Sequence, residues 1–74
     1  MLTITFMSET LKTVVSCDSY DVENEDQIII ITACKGFGDA KQSETFEVSS
    51  VIKTAYDVAY VTNLAGKTID RIGG

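Results

Sequence analysis

Five of the chain's eleven carboxylates, Asp18, Asp21, Glu23, Glu25 and Asp26, fall within nine residues, and no Lys or Arg lies between Lys12 and Lys35. Such a run could ligate a hard cation, act as a general acid–base pair, or present charge to a basic partner. A calcium loop needs a glycine at its sixth place and a closing glutamate at its twelfth. The stretch Asp18–Asp26 has neither in register, so no metal site is expected. The chain contains no His, which removes the usual neutral-pH proton shuttle. Cys17 and Cys34 are the only thiols. A reactive thiol wants a positive neighbour, whereas carboxylates raise its pKa. The segment Gly36–Asp39, "GFGD", lacks the third glycine and the lysine–hydroxyl ending of a phosphate loop and reads as a turn. No catalytic residue is assigned, no cofactor is implied, and the expectation is a non-catalytic protein.

The elements that must position these carboxylates read as strands. Leu2, Ile4 and Phe6 alternate with Thr3 and Thr5, a period of two. The segment Leu11–Glu23 continues with β-branched and aromatic residues and no 3.6-residue period. "QIIIITAC" (Gln27–Cys34) is too short and too branched for a helix. Gly36, Gly38 and Asp39 break the chain. "SETFEV" alternates again, with Phe46 and Val48 on one face, and Leu64–Lys67 forms a hairpin loop. Between Ser49 and Gly66 two patterns compete. A helix would align Val51, Ala55, Val58, Ala59 and Thr62, whereas a strand would alternate Tyr56, Val58, Tyr60 and Thr62; six β-branched residues favour the strand. The expected fold is all-β, a small antiparallel sheet or open barrel of about five strands, with one short helix near residues 50–62 as the alternative. An eight-residue echo, "VSCDSYDV" from Val15 and "VIKTAYDV" from Val51, raises a duplication of two hairpin halves.

Turn chemistry places a hairpin corner in "NED". With Glu25 and Asp26 as a two-residue loop, Val22 opposes Ile29 and Tyr20 opposes Ile31, and these pairs share a core face with Asn24 and Ala33. The other face carries Asp21 opposite Ile30 and Glu23 opposite Ile28. The same register sets Cys17 against Cys34, as two packed thiols or a cross-strand disulfide. Four consecutive isoleucines leave no solvent face, so both faces of this strand require cover. The core covers one; Ile28 and Ile30 await another. Residues two apart on a strand repeat at about 6.6–6.8 Å. Asp21, Glu23 and Glu25 then form a row of negative charges near the phosphate spacing of a nucleic-acid strand. A solvated edge strand whose charges discourage aggregation is the plainer alternative.

Seventy-four residues make one domain, for which folding buries roughly 60–65% of the unfolded surface. Hydrophobic content of 45% with 23% charged residues is the composition of a folded chain. The net charge of −5 disfavours direct binding to nucleic acid. No apolar run approaches membrane-spanning length, and "MLTITFMSET" lacks the basic start and cleavage site of an export signal, so a cytoplasmic location is expected. These features lead to a protein-binding module, an inhibitor or adaptor. Its partner surface would comprise Asp18, Asp21, Glu23, Glu25, Asp26, Ile28 and Ile30, set against the basic nucleic-acid site of an enzyme. In size and charge the chain is similar in general character to phage-encoded anti-defence proteins, including anti-CRISPRs. The alternative is a structural subunit, of a phage particle or host assembly, in which Ile28 and Ile30 pair across a homodimer axis. The ending "RIGG" resembles ubiquitin-like modifiers and sulfur carriers over Gly73 and Gly74 only. Those families place a helix where this chain has "NEDQIIIITAC", which leaves a frayed terminus as the simpler expectation.

Overall fold

β-Branched and aromatic residues recur in every extended segment, and the chain has no proline to interrupt a ladder. In the computed structural model, which describes residues 1–74, they form seven strands: β1 (Leu2–Met7), β2 (Lys12–Cys17), β3 (Ser19–Glu25), β4 (Ile28–Lys35), β5 (Gln42–Val48), β6 (Val58–Thr62) and β7 (Thr68–Gly73). A single 3-10 turn, Gly38–Ala40, joins β4 to β5. All pairings within the sheets are antiparallel, and the strands divide into a four-stranded sheet, β2-β1-β6-β7, and a three-stranded sheet, β3-β4-β5. The all-β expectation holds, with seven strands in two sheets instead of about five in one. Residues 50–62 contain no helix.

The two sheets enclose one core. Ile4 and Phe6 of β1, Cys17 of β2, Ala59 and Val61 of β6 and Ile72 of β7 meet Ile31 and Ala33 of β4 and Phe46 and Val48 of β5. The Phe6 and Phe46 rings stack across the sandwich, with centroids 4.3 Å apart. These positions follow strand alternation, so each sheet turns one face inward and the other outward. Two polar contacts tie the layers together. Tyr20 Oη of β3 donates to Asp70 Oδ2 of β7 at 2.8 Å, and the hydroxyls of Thr13 and Tyr56 bond to each other.

The segment read as one strand, Leu11–Glu23, breaks at Asp18, where the chain leaves one sheet for the other. The Asp18 N–H still bonds the Cys34 carbonyl, and its carboxylate accepts from the Gly36 N–H at 2.7 Å. Residues 49–57 are turns, not a strand. Buried Ser49 organises them: its Oγ donates to the Gln27 carbonyl at 2.8 Å and accepts from the N–H groups of Val51 and Ile52. Tyr56 pairs with Val48 as an isolated parallel bridge before β6 begins. The echo at Val15 and Val51 therefore has no structural counterpart: one copy spans a sheet corner and the other a loop. The β6–β7 hairpin closes where expected, with Asn63 Oδ1 accepting from the N–H groups of Ala65 and Lys67.

Gly73 ends β7 and Gly74 makes one further backbone bond beyond it, where a frayed terminus was expected. Gly73 pairs with Val58 at a φ of 78°, and the Gly74 N–H bonds the Asp57 carbonyl at 3.0 Å. A Cβ on Gly73 would stand 2.7 Å from Val48 Cγ1 and 3.0 Å from the Asp57 oxygen, so close packing alone requires glycine there.

Candidate functional site

The acidic hairpin forms, with its turn displaced by one position. Glu25 pairs with Ile28, which leaves Asp26 and Gln27 as the two-residue loop instead of Glu25 and Asp26. Asp26 takes the left-handed conformation, at a φ of 47°. Asp tolerates that region far better than Glu, because its short side chain bonds its own backbone. The register accordingly moves by two residues: Asp21 opposes Thr32, Glu23 opposes Ile30, and Val22 opposes Ile31. The expected pairings of Asp21 with Ile30 and Glu23 with Ile28 are thus replaced. A shift of two preserves the faces, so the division into inner and outer residues stands.

On the outer face, Asp21, Glu23 and Glu25 follow one another along the exposed strand β3. Beside them on β4 stand Ile28, Ile30 and Thr32, each only partly covered. On the far side, β5 contributes Glu47 opposite Ile30 and Thr45 opposite Thr32. Glu23, Ile30 and Glu47 therefore make one cross-strand row, with two carboxylates about 9.6 Å apart at the backbone and an isoleucine between them. These three strands place four carboxylates and no cation on this face. Glu47 was not among the residues singled out from the sequence. Only its pairing with β4, a contact across 17 positions in the chain, brings it to the site.

Two other residues singled out from the sequence stand apart from that row. Asp18 lies at the sheet corner, partly buried, and satisfies the Gly36 N–H, whose residue has a φ of 86°. Asp26 sits on the hairpin tip. There a cleft of about 410 Å³ opens between the tip (Asp26, Gln27) and the chain at Ser49, Asp57 and Gly74. On the inner face, Val22 is 40% exposed and Asn24 exposed, so the tip of the hairpin projects past the opposing sheet.

No family model, no curated protein and no solved structure matches this chain.

The remaining chemistry-bearing groups are built into the core or its margins. Cys17 and Cys34 are both free and buried, and Cys34 pairs with Ser19, while Cys17 pairs with Leu2 in the other sheet. Burial, then the Asp18 carboxylate and the Cys34 thiol, push the Cys17 thiol above its ordinary value, which suppresses the thiolate needed for reactivity. Tyr20 is likewise pushed up, first by burial, then by its hydrogen bond to Asp70 and the charge of that carboxylate. Both shifts favour the neutral forms. No group of three or more His, Cys, Asp and Glu side chains converges as a cation site, and no helix is long and apolar enough to cross a membrane.

Proposed function

We propose that this protein is a non-catalytic binding module, an inhibitor or adaptor whose outer β3–β4–β5 face engages the basic nucleic-acid site of an enzyme. The observation that carries the reading is the row of Glu23, Ile30 and Glu47, with Asp21 and Glu25 on either side of Glu23 along β3. It presents a half-covered apolar stripe edged on both sides by anions, a surface complementary to a basic groove with an apolar floor. The anions along β3 repeat at about 6.6–6.8 Å, so they can occupy successive phosphate positions. Small size and acidity add the phage-type anti-defence, anti-CRISPR-like role as the finer form of the same reading, acting in a host cytoplasm. In that form the protein would bind the enzyme and exclude its nucleic acid without touching nucleic acid itself.

The test is affinity capture from cytoplasmic extract with the wild-type chain and with D21K/E23K/E25K, followed by mass spectrometry. A nucleic-acid-binding enzyme retained by the wild type at about 0.15 M salt, released at high salt and missed by the variant supports the reading. Equal capture by a variant that keeps its fold defeats it.

A further inference from the structure

The outer face of the four-stranded sheet has the opposite character to the acidic face. One cross-strand row runs Val14, Thr5, Tyr60, Arg71, and the next runs Lys12, Met7, Val58, Gly73. Val14 is 57% exposed and Met7 37% exposed, while Val58 and Tyr60 are half-buried. The Arg71 guanidinium lies over the Tyr60 ring, 5.9 Å from its centroid. Lys12 and Arg71 are the only charges in these rows, and the third row, from Ser16 to Thr68, has none. Because both inner faces turn to the same core, the two outer faces point away from each other. A single chain thus carries an apolar patch edged by cations on one side and an apolar stripe edged by anions on the other.

We propose that the outer face of β2-β1-β6-β7 docks the acidic outer face of a second copy of this chain, head to tail. Charge selects that occupant and that geometry. Two-fold pairing of the acidic faces would set four carboxylates against four, and two-fold pairing of the other faces would set two cations against two. Only the unlike pairing brings opposite signs together. The net charge of −5 repels copies at long range, but it is screened beyond about 8 Å at 0.15 M salt, whereas charges in docked faces lie within that length. Each face spans roughly 400 Å² by strand length and spacing, so the interface is at the small, weak end of specific contacts. A heterologous contact leaves one face of each sign open, and the assembly grows as a filament unless its rotation closes a ring. This inference goes beyond the partner-binding reading. The acidic face is shared, so copy and partner compete for it, but self-association does not require that any partner exist.

Sedimentation velocity over a concentration series into the millimolar range, at about 0.15 M salt, tests it. The wild type should show a sedimentation coefficient that rises with concentration. K12E/R71E alone and D21N/E23Q/E25Q/E47Q alone should remain monomers. Mixed in equal amounts, they should form a one-to-one dimer and nothing larger, because each supplies its one intact face. All substituted side chains except Arg71, which rests on Tyr60, stand free on exposed strands, and circular dichroism of each variant is the check on its folding. Should K12E/R71E unfold, V14K blocks the same face. A wild type that stays monomeric throughout overturns the proposal, as does a variant that self-associates alone as strongly as the wild type. The second result would identify a two-fold contact instead. None of these outcomes bears on whether D21K/E23K/E25K loses a captured partner.

Discussion

Tyr20 and Asp70, 50 positions apart in the chain, meet through a 2.8 Å hydrogen bond that joins the acidic sheet to the last strand of its partner sheet. The second oxygen of Asp70 accepts from the Arg71 N–H, so the carboxylate is held at both ends. That bond links β3 to β7 across the two sheets. Tyr20→Phe should therefore cost about 1–2 kcal/mol, the range for a partly buried bond to a charged acceptor. In a domain this small, that loss lowers the melting temperature by several degrees, which calorimetry would detect.

Alkaline pH should destabilise the fold through two groups. Tyr20 and Cys17 both have folded-state values raised above their unfolded ones. For an acid so shifted, the unfolded state releases its proton first. Its contribution is complete below the unfolded value and is lost as pH rises through the folded value. The loss should begin above about 8.5 for Cys17 and above about 10 for Tyr20. Denaturant midpoints measured from pH 7 upward should fall in that window. Cys17→Ala should flatten the earlier part of the decline and Tyr20→Phe the later part.

Adjacent isoleucines should respond unequally. Ile31 is fully buried between the sheets, whereas Ile30 is half-covered on the outer face. Ile31→Val should cost about 1 kcal/mol and Ile30→Val under about 0.5 kcal/mol in urea melts. Equal costs would place Ile30 inside the core and remove the stripe.

Ser49 carries the link between the hairpin tip and the turns that precede β6. Ser49→Ala strands the Gln27 carbonyl and two N–H groups and should cost about 1–2 kcal/mol. Ser49→Thr keeps the hydroxyl and should recover part of that loss, which thermal melts of the two variants would show.

The extended character of the chain, the core face of β4 and the alternation of β5 were legible in the sequence, because period-two patterning reports which side of a strand is buried, whereas the break between β2 and β3 and the turns at 49–57 were not. The division of the hairpin into an acidic and an inward face survived an error in the turn for a specific reason. Moving the loop from Glu25–Asp26 to Asp26–Gln27 slides the partners by two, and only an odd slide exchanges faces. The preference of Asp26 over Glu25 for a positive φ was the local signal that could have located the loop. Three features had no local signal. Glu47 joins the acidic face through pairing of β5 with β4, the corner at Asp18 depends on a bond to Gly36, and residues 49–57 are held in turns by a serine that contacts Gln27. Each is set by a tertiary contact. The Gly-Gly ending resembles a modifier motif, whereas its first glycine is accounted for by the proximity of Val48 and Asp57.

The most direct test of the central claim is the affinity of the captured partner for E23K/E47K, the pair that flanks Ile30, measured beside E9K/D39K at the same salt. Both variants change net charge equally, but Glu9 and Asp39 lie in the connections outside the acidic face. If the row is the recognition surface, E23K/E47K should weaken binding at least about tenfold, near 1.4 kcal/mol, while E9K/D39K changes it little. Equal losses in the two variants would mean that only overall charge matters, and an undiminished E23K/E47K would show that the partner binds elsewhere.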